Sequence, residues 1–143
     1  MSDPRFESLP IAVIGGGPVG LAAAAHLVAR NLPVKLYEAG AAIASNMRDW
    51  GHVRVFTPWR YCVDGASAAL LERRGWTMPS ADVFPTAGEI VRDYLEPLAA
   101  TPELAGVIEM GARVTAVSRL GLDKVVSRGR AERPFVLSIK TAN

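Results

Sequence analysis

The sequence predicts a three-layer α/β domain with a parallel sheet and an antiparallel β-meander. Three observations predict it. A continuously apolar run, Ile11 to Ile14, is cut off by Gly15, Gly16, Gly17 and Pro18; an apolar stretch at helical spacing, Val19 to Ala29, follows at once; and a second apolar run, Val34 to Tyr37, ends at an acid, Glu38. Strand, helix and strand in such close succession make a βαβ unit, whose crossover is right-handed.

Taken in order, Ile11 to Ile14 reads as a strand buried on both faces, because no polar residue interrupts it. Pro18 suits a first helical position, where its fixed φ is pre-organised and its missing N–H costs nothing. The helix it opens is apolar on nearly every face apart from His26, and Asn31 stands where a left-handed residue closes a helix. In the middle third a helix is expected from about Gly65 to Arg74, capped by Asp64 and followed by Gly75. Thr86 and Glu89 form a capping box, after which Ile90, Val91, Tyr94, Leu95 and Leu98 recur along one helical face. Pro97 is expected to kink or end that helix early. Val107 to Met110 is a candidate third parallel strand, while Val114 to Val117 and Phe135 to Thr141 read as strands of the meander, joined by a long polar loop.

Composition narrows the partners. The chain has 143 residues, 50% of them hydrophobic, with 16 Lys and Arg against 14 Asp and Glu. That composition excludes disorder and collagen, and the small charge excess does not point to nucleic acid or an anionic membrane. Residues 113–133 hold six basic residues against two acids, but no aromatics interleave them, so a solvated hairpin loop is the expectation. Cys62 is the one cysteine, which excludes an internal disulfide, a C-x-x-C pair and a cysteine zinc site, and suits a reducing cytoplasm. The first residues lack the basic and apolar segments of a signal peptide, and the longest apolar stretch is broken by glycines and a proline, so neither secretion nor a membrane span is expected. A soluble cytoplasmic protein is the reading. Charge and composition do not set its oligomeric state.

The chemistry lies in Gly15-x-Gly17-x-x-Gly20, placed between a strand and a helix as the dinucleotide fingerprint requires. Gly15 allows the tight turn, Gly17 lets a diphosphate approach the backbone, and Gly20 lets the helix pack on the strand. The N–H groups around Pro18, Val19 and Gly20 open toward the diphosphate, with Val19 the donor since proline has none. Glu38 lies 23 residues beyond Gly15, where a carboxylate accepts hydrogen bonds from an adenosine ribose. Ala39 follows rather than an arginine, so nothing there selects a ribose 2′-phosphate, and a negative Glu38 repels one. No metal-ligand spacing, nucleophile elbow or P-loop is present, which sets aside hydrolase and NTPase chemistry.

The stretch Ile11-Ala-Val-Ile-Gly15-Gly-Gly17-Pro-Val-Gly20-Leu-Ala-Ala-Ala24-Ala-His-Leu, closing with Leu36-Tyr37-Glu38-Ala39-Gly40, closely resembles the N-terminal FAD-binding fingerprint of the two-dinucleotide-binding-domain flavoproteins. Flavin-containing monooxygenases and pyridine nucleotide-disulfide oxidoreductases belong to that superfamily. The resemblance implies a Rossmann-like FAD/NAD(P)-binding domain, FAD as cofactor and NAD(P)H as co-substrate. It implies that Glu38 holds the adenosine ribose, that backbone near Val114 meets the adenine, and that Arg48 is the basic residue touching ribose or pyrophosphate. Ala44 and Ser45 stand where the monooxygenase pattern has a glycine pair, a departure in the loop leading to the flavin end, while the missing cysteine pair disfavours the disulfide reductases. The superfamily's domain continues to a final parallel strand and receives an NAD(P)H domain. Residues 1–143 are therefore expected to be the N-terminal part of an FAD-binding domain, incomplete at its C-terminus and inactive alone.

Two other readings stand beside it. One is the NAD-binding domain of a dehydrogenase, and the other is a non-catalytic module with a degenerate dinucleotide site. His26 is expected at a boundary or in the core. His52, with Trp50, Phe56, Thr57 and Trp59, is a candidate wall for a flavin ring, against core packing as the alternative. Cys62 is expected to be a small buried residue without catalytic function. The substrate, a small molecule, is not legible.

Overall fold

A computed structural model describes residues 8–141. The βαβ unit forms as expected: β1 (Ile11–Ile14), α1 (Pro18–Ala29) and β2 (Val34–Tyr37). Pro18 is the first residue of α1. Asn31, at φ 55°, ends it in a Schellman turn, in which the Leu32 N–H donates to Leu27 O at 3.0 Å and the Asn31 N–H to Val28 O at 2.9 Å. Next come α2 (Ser45–Asp49), α3 (Trp59–Cys62) and α4 (Gly65–Glu72). Asp64 caps α4 by accepting the Ser67 N–H at 2.9 Å, and Gly75, at φ 79°, turns the chain away after it.

The Thr86 capping box is present, with the Thr86 N–H donating to Glu89 Oε2 and the Glu89 N–H to Thr86 Oγ1. It opens α5 (Ala87–Ile90), which widens into a π-helical turn (Val91–Leu95) and continues as α6 (Glu96–Ala99). Pro97 therefore does not stop the helix. A proline leaves the carbonyl four residues before it without a donor. That carbonyl, Asp93 O, instead accepts the Trp76 indole N–H at 2.8 Å. The wider turn lets the chain pass the proline ring and carry Leu98 into the core.

After α7 (Pro102–Ala105), β3 (Ile108–Glu109) joins β2 in parallel, and it is shorter than the expected Val107 to Met110. Sheet order is β1-β2-β3. The meander strands are β4 (Ala112–Arg119) and β5 (Phe135–Thr141), an antiparallel pair with an irregularity between Val114 and Ala116. The polar loop between them is held locally, Arg130 donating to Asp123 O and Val126 O.

The core lies between the sheet and the helices. Leu21, Ala24 and Ala25 of α1, Leu36 of β2, Leu70 and Leu71 of α4, and Tyr94, Leu95 and Leu98 meet there. The expectation for β1 needs correction, because Ile11 is 43% and Ile14 55% exposed. Only one face of the strand is covered by α1. The other looks into a mostly apolar cavity of about 920 Å³ between the sheet and the β4–β5 pair. Apolar continuity in the sequence reported the strand but not whether a second layer closes on it. Among the described residues no helix is long and apolar enough to cross a membrane.

Candidate functional site

The end of β1 turns sharply at Gly15, whose φ of +101° excludes ordinary side chains. Three residues on, α1 begins at Pro18 without a side-chain cap, so the first-turn N–H groups are left for an external acceptor. Close approach makes Gly20 indispensable: a side chain there would overlap the Gly15 carbonyl oxygen. Gly17 is the opposite case. Its backbone is ordinary, at φ −83°, and a methyl would meet nothing within 4 Å. The missing side chain there leaves space rather than relieving strain.

That space is part of a cavity of about 470 Å³ lined by Gly15, Gly17, Pro18, Glu38, Ala39 and Val114. The tertiary fold thus brings together the end of β1, the start of α1, the end of β2 and the third residue of β4. Glu38 is 9% exposed, and its two oxygens accept the Gly16 and Gly40 N–H groups, each at 2.6 Å. An ionised carboxylate has further lone pairs for ribose hydroxyls. Donors at a helix start and an acceptor at the end of the neighbouring strand match a molecule that is anionic in the middle and hydroxylated to one side.

The remaining sequence candidates fall elsewhere. Val19 and Gly20 do not line the cavity with side chains, Val19 being 83% exposed, but they lie in the first turn of α1 and theirs are the N–H groups left there once Leu21 N–H has bonded to Gly17 O. Arg48 does not line the cavity. Its Nε donates to Ile43 O at 3.1 Å and its Nη2 to Glu96 Oε1 at 2.6 Å. The aromatic stretch does not reach the wall either. Trp59 is a core residue and Phe56 is almost fully exposed, so the segment divides between packing and surface. Cys62 is half-buried, and burial pushes its thiol pKa up, which suits an unreactive side chain. His26 binds Asp64 Oδ1 at 2.9 Å and neighbours Arg30, a boundary position tying α1 to α4.

Sequence reading missed Ser45, Asn46 and Arg113, which also line the cavity. Arg113 directly precedes Val114 and carried a signal only as one basic residue among six. Ser45 and Asn46 reach the cavity because Ala44, with φ 55°, turns the chain back through a left-handed conformation. Such a backbone costs a residue with a side chain roughly 1–2 kcal/mol, and it explains why a glycine is usual there. Among the described residues no cluster of side chains has the makings of a metal site.

Comparison with known proteins bears on the fold. A model of an NAD(P)-binding Rossmann-like domain matches residues 13–74, the βαβ unit through α4. Comparison with curated protein sequences gives no significant match. Among solved structures, an oxidized steroid monooxygenase bound to NADP is 25% identical, with a TM-score of 0.57 over 74% of this chain and 20% of that one. The OTEMO complex with FAD and NADP is 19% identical, with a TM-score of 0.66 over 95% of this chain and 24% of that one. The bacillithiol disulfide reductase Bdr from Bacillus cereus is 23% identical, with a TM-score of 0.59 over 78% and 31%. The chain thus spans a fifth to a third of the structures it resembles. The matched model and the parallel β1-β2-β3 sheet show an NAD(P)-binding Rossmann-like fold, which this chain shares with the solved flavoenzymes named above.

Proposed function

We propose that this chain is the FAD-binding part of a flavin-dependent NAD(P)H oxidoreductase on the monooxygenase side of the superfamily. One observation carries the reading: a single cavity collects the open side of Gly17, the uncapped start of α1, the Glu38 carboxylate and the Val114 backbone. In it the first-turn N–H groups of α1 bind the diphosphate, Glu38 accepts the ribose hydroxyls, and Val114 lies against the adenine. Arg113 adds a cation at the rim. When bound, FAD supplies two-electron chemistry with NAD(P)H as reductant, and the protein supplies position and electrostatics.

Two observations support placing the chain in a larger enzyme. It spans only 20–31% of the structures quoted above. In addition, the Ile11 N–H bonds to Pro33 O and the Gly15 N–H to Tyr37 O, so those of Ala12 and Ile14 face an outer edge that, among the described residues, no strand pairs and that a further parallel strand would pair. The free thiol of Cys62 suits a reducing cytoplasm.

Calorimetric and fluorescence titration of the purified chain with FAD, NADH and ADP-ribose tests the reading. FAD bound in preference to NADH is the expected result. NADH preferred would replace it with the dehydrogenase reading, and no binding of any of the three would favour a degenerate, non-catalytic site.

A further inference from the structure

Ala44 keeps a left-handed backbone, φ 55°, although it carries a side chain and is almost fully buried. A residue other than glycine stays in that region only where its surroundings over-determine it. Several bonds do so here. The Ala44 N–H donates to Gly16 O at 3.0 Å, and the Ala44 carbonyl accepts the backbone N–H of Met47 at 2.9 Å and of Arg48 at 3.3 Å. The Ile43 carbonyl accepts Arg48 Nε at 3.1 Å, and Glu96 of α6 holds the far side of the guanidinium at 2.6 Å. Gly16 in turn donates its own N–H to Glu38. A continuous path therefore runs from α6 through Arg48 to the strained Ala44, and from there to the glycine loop and the Glu38 carboxylate.

We infer that Arg48 is a positioning residue of the nucleotide cavity, which holds Ile43 and Ala44 in place and does not touch the bound phosphates. The inference rests on the reading of the cavity proposed above. Both ends of the guanidinium are engaged, and the side chain lies outside the cavity wall. Its effect on a ligand passes through Ala44, which orients the Gly16 peptide and starts the helix that carries Ser45 and Asn46 to the cavity.

The test combines ADP-ribose calorimetry with amide hydrogen exchange on the whole chain. Arg48→Ala and Glu96→Ala should each weaken ADP-ribose binding by about three- to five-fold, the scale of an exposed ion pair, and the double variant should be no worse than Arg48→Ala. Ala44→Gly added to Arg48→Ala should restore affinity, because glycine holds the left-handed conformation without support. In the ligand-free chain, the Ala44 amide should exchange faster in both single variants. An arginine bound to phosphate behaves otherwise: Glu96→Ala leaves affinity unchanged or tightens it, Ala44→Gly rescues nothing, and Arg48→Ala reduces the salt dependence of binding. That pattern would overturn the inference. If the unaltered chain does not bind ADP-ribose, the cavity reading itself falls. The exchange arm still decides the clamp, which is refuted by unchanged Ala44 protection in both variants.

Discussion

Gly17 and Gly20 belong to one motif, yet the structure gives them different physical duties, and alanine at each position separates these. At Gly20 the new methyl would overlap the Gly15 carbonyl oxygen and stand 3.0 Å from its carbon, both backbone atoms that cannot swing aside. Helix α1 would have to retreat from β1 by on the order of 1 Å, and overpacking of that kind costs about 1–3 kcal/mol or more. Unfolding entropy of roughly 2.1 cal/mol/K per residue gives roughly 0.3 kcal/mol/K for a chain of 143 residues. Gly20→Ala should therefore lower Tm by roughly 3–10 °C. At Gly17 the methyl meets nothing within 4 Å and the backbone needs no left-handed φ, so Tm should stay within roughly 3 °C of the original, a change below about 1 kcal/mol. The same methyl would stand where a diphosphate must approach, and Gly17→Ala should lose ADP-ribose binding by at least about ten-fold, or about 1.4 kcal/mol. Thermal melts and calorimetry on the two variants give the comparison. A Gly17→Ala chain that melts as low as Gly20→Ala, or that binds ADP-ribose undiminished, would refute the assignment of Gly17 to ligand approach.

Glu38→Ala should weaken FAD or ADP-ribose binding by about 1.5–3 kcal/mol, the range for a charged hydrogen bond, and unchanged affinity in calorimetry would count against its ribose role. Trp76→Phe keeps an aromatic ring, though a smaller one, and removes the donor to Asp93 O, and should cost about 1–3 kcal/mol in denaturant unfolding; no loss would show that the π-helical turn does not need that bond. Asp64 gives a pH test. Burial acts to raise its pKa, but bonds from the Ser67 backbone, His26 and the Ser67 hydroxyl outweigh this and hold it below the usual carboxylate value of 3.8. A pKa lowered by folding stabilises the protein fully above the unfolded value, and the benefit fades as pH falls through the folded value. The Tm difference between the unaltered chain and Asp64→Asn should thus be constant from pH 7 to about 5 and shrink below about pH 4. A difference that stays constant down to pH 2 would sink that account.

The parts legible in the sequence are those where a short stretch answers to its own chemistry. Pro18 at the start of α1, Asn31 at its end, the Asp64 cap and the Thr86–Glu89 box all appear where local hydrogen bonding and backbone sterics require them. Pro97 is the instructive exception. Its conflict lies with the Asp93 carbonyl, and the donor that resolves it comes from Trp76, which local sequence around the proline cannot reveal.

By itself the sequence determined the βαβ unit, the glycine turn and the acid at the end of β2, because each depends on neighbours a few residues away or on the period of apolar side chains. Tertiary structure alone decided which of these share a cavity. It brought Val114 and Arg113 of β4 beside Gly17 and Glu38, and it engaged Arg48 with Ile43 and Glu96 away from the wall. It also left one face of β1 open despite four consecutive apolar residues. The physical reason is common to all three. Burial and side-chain partnership are set by what a distant segment brings into contact, whereas a residue's own type sets only what contact it would favour.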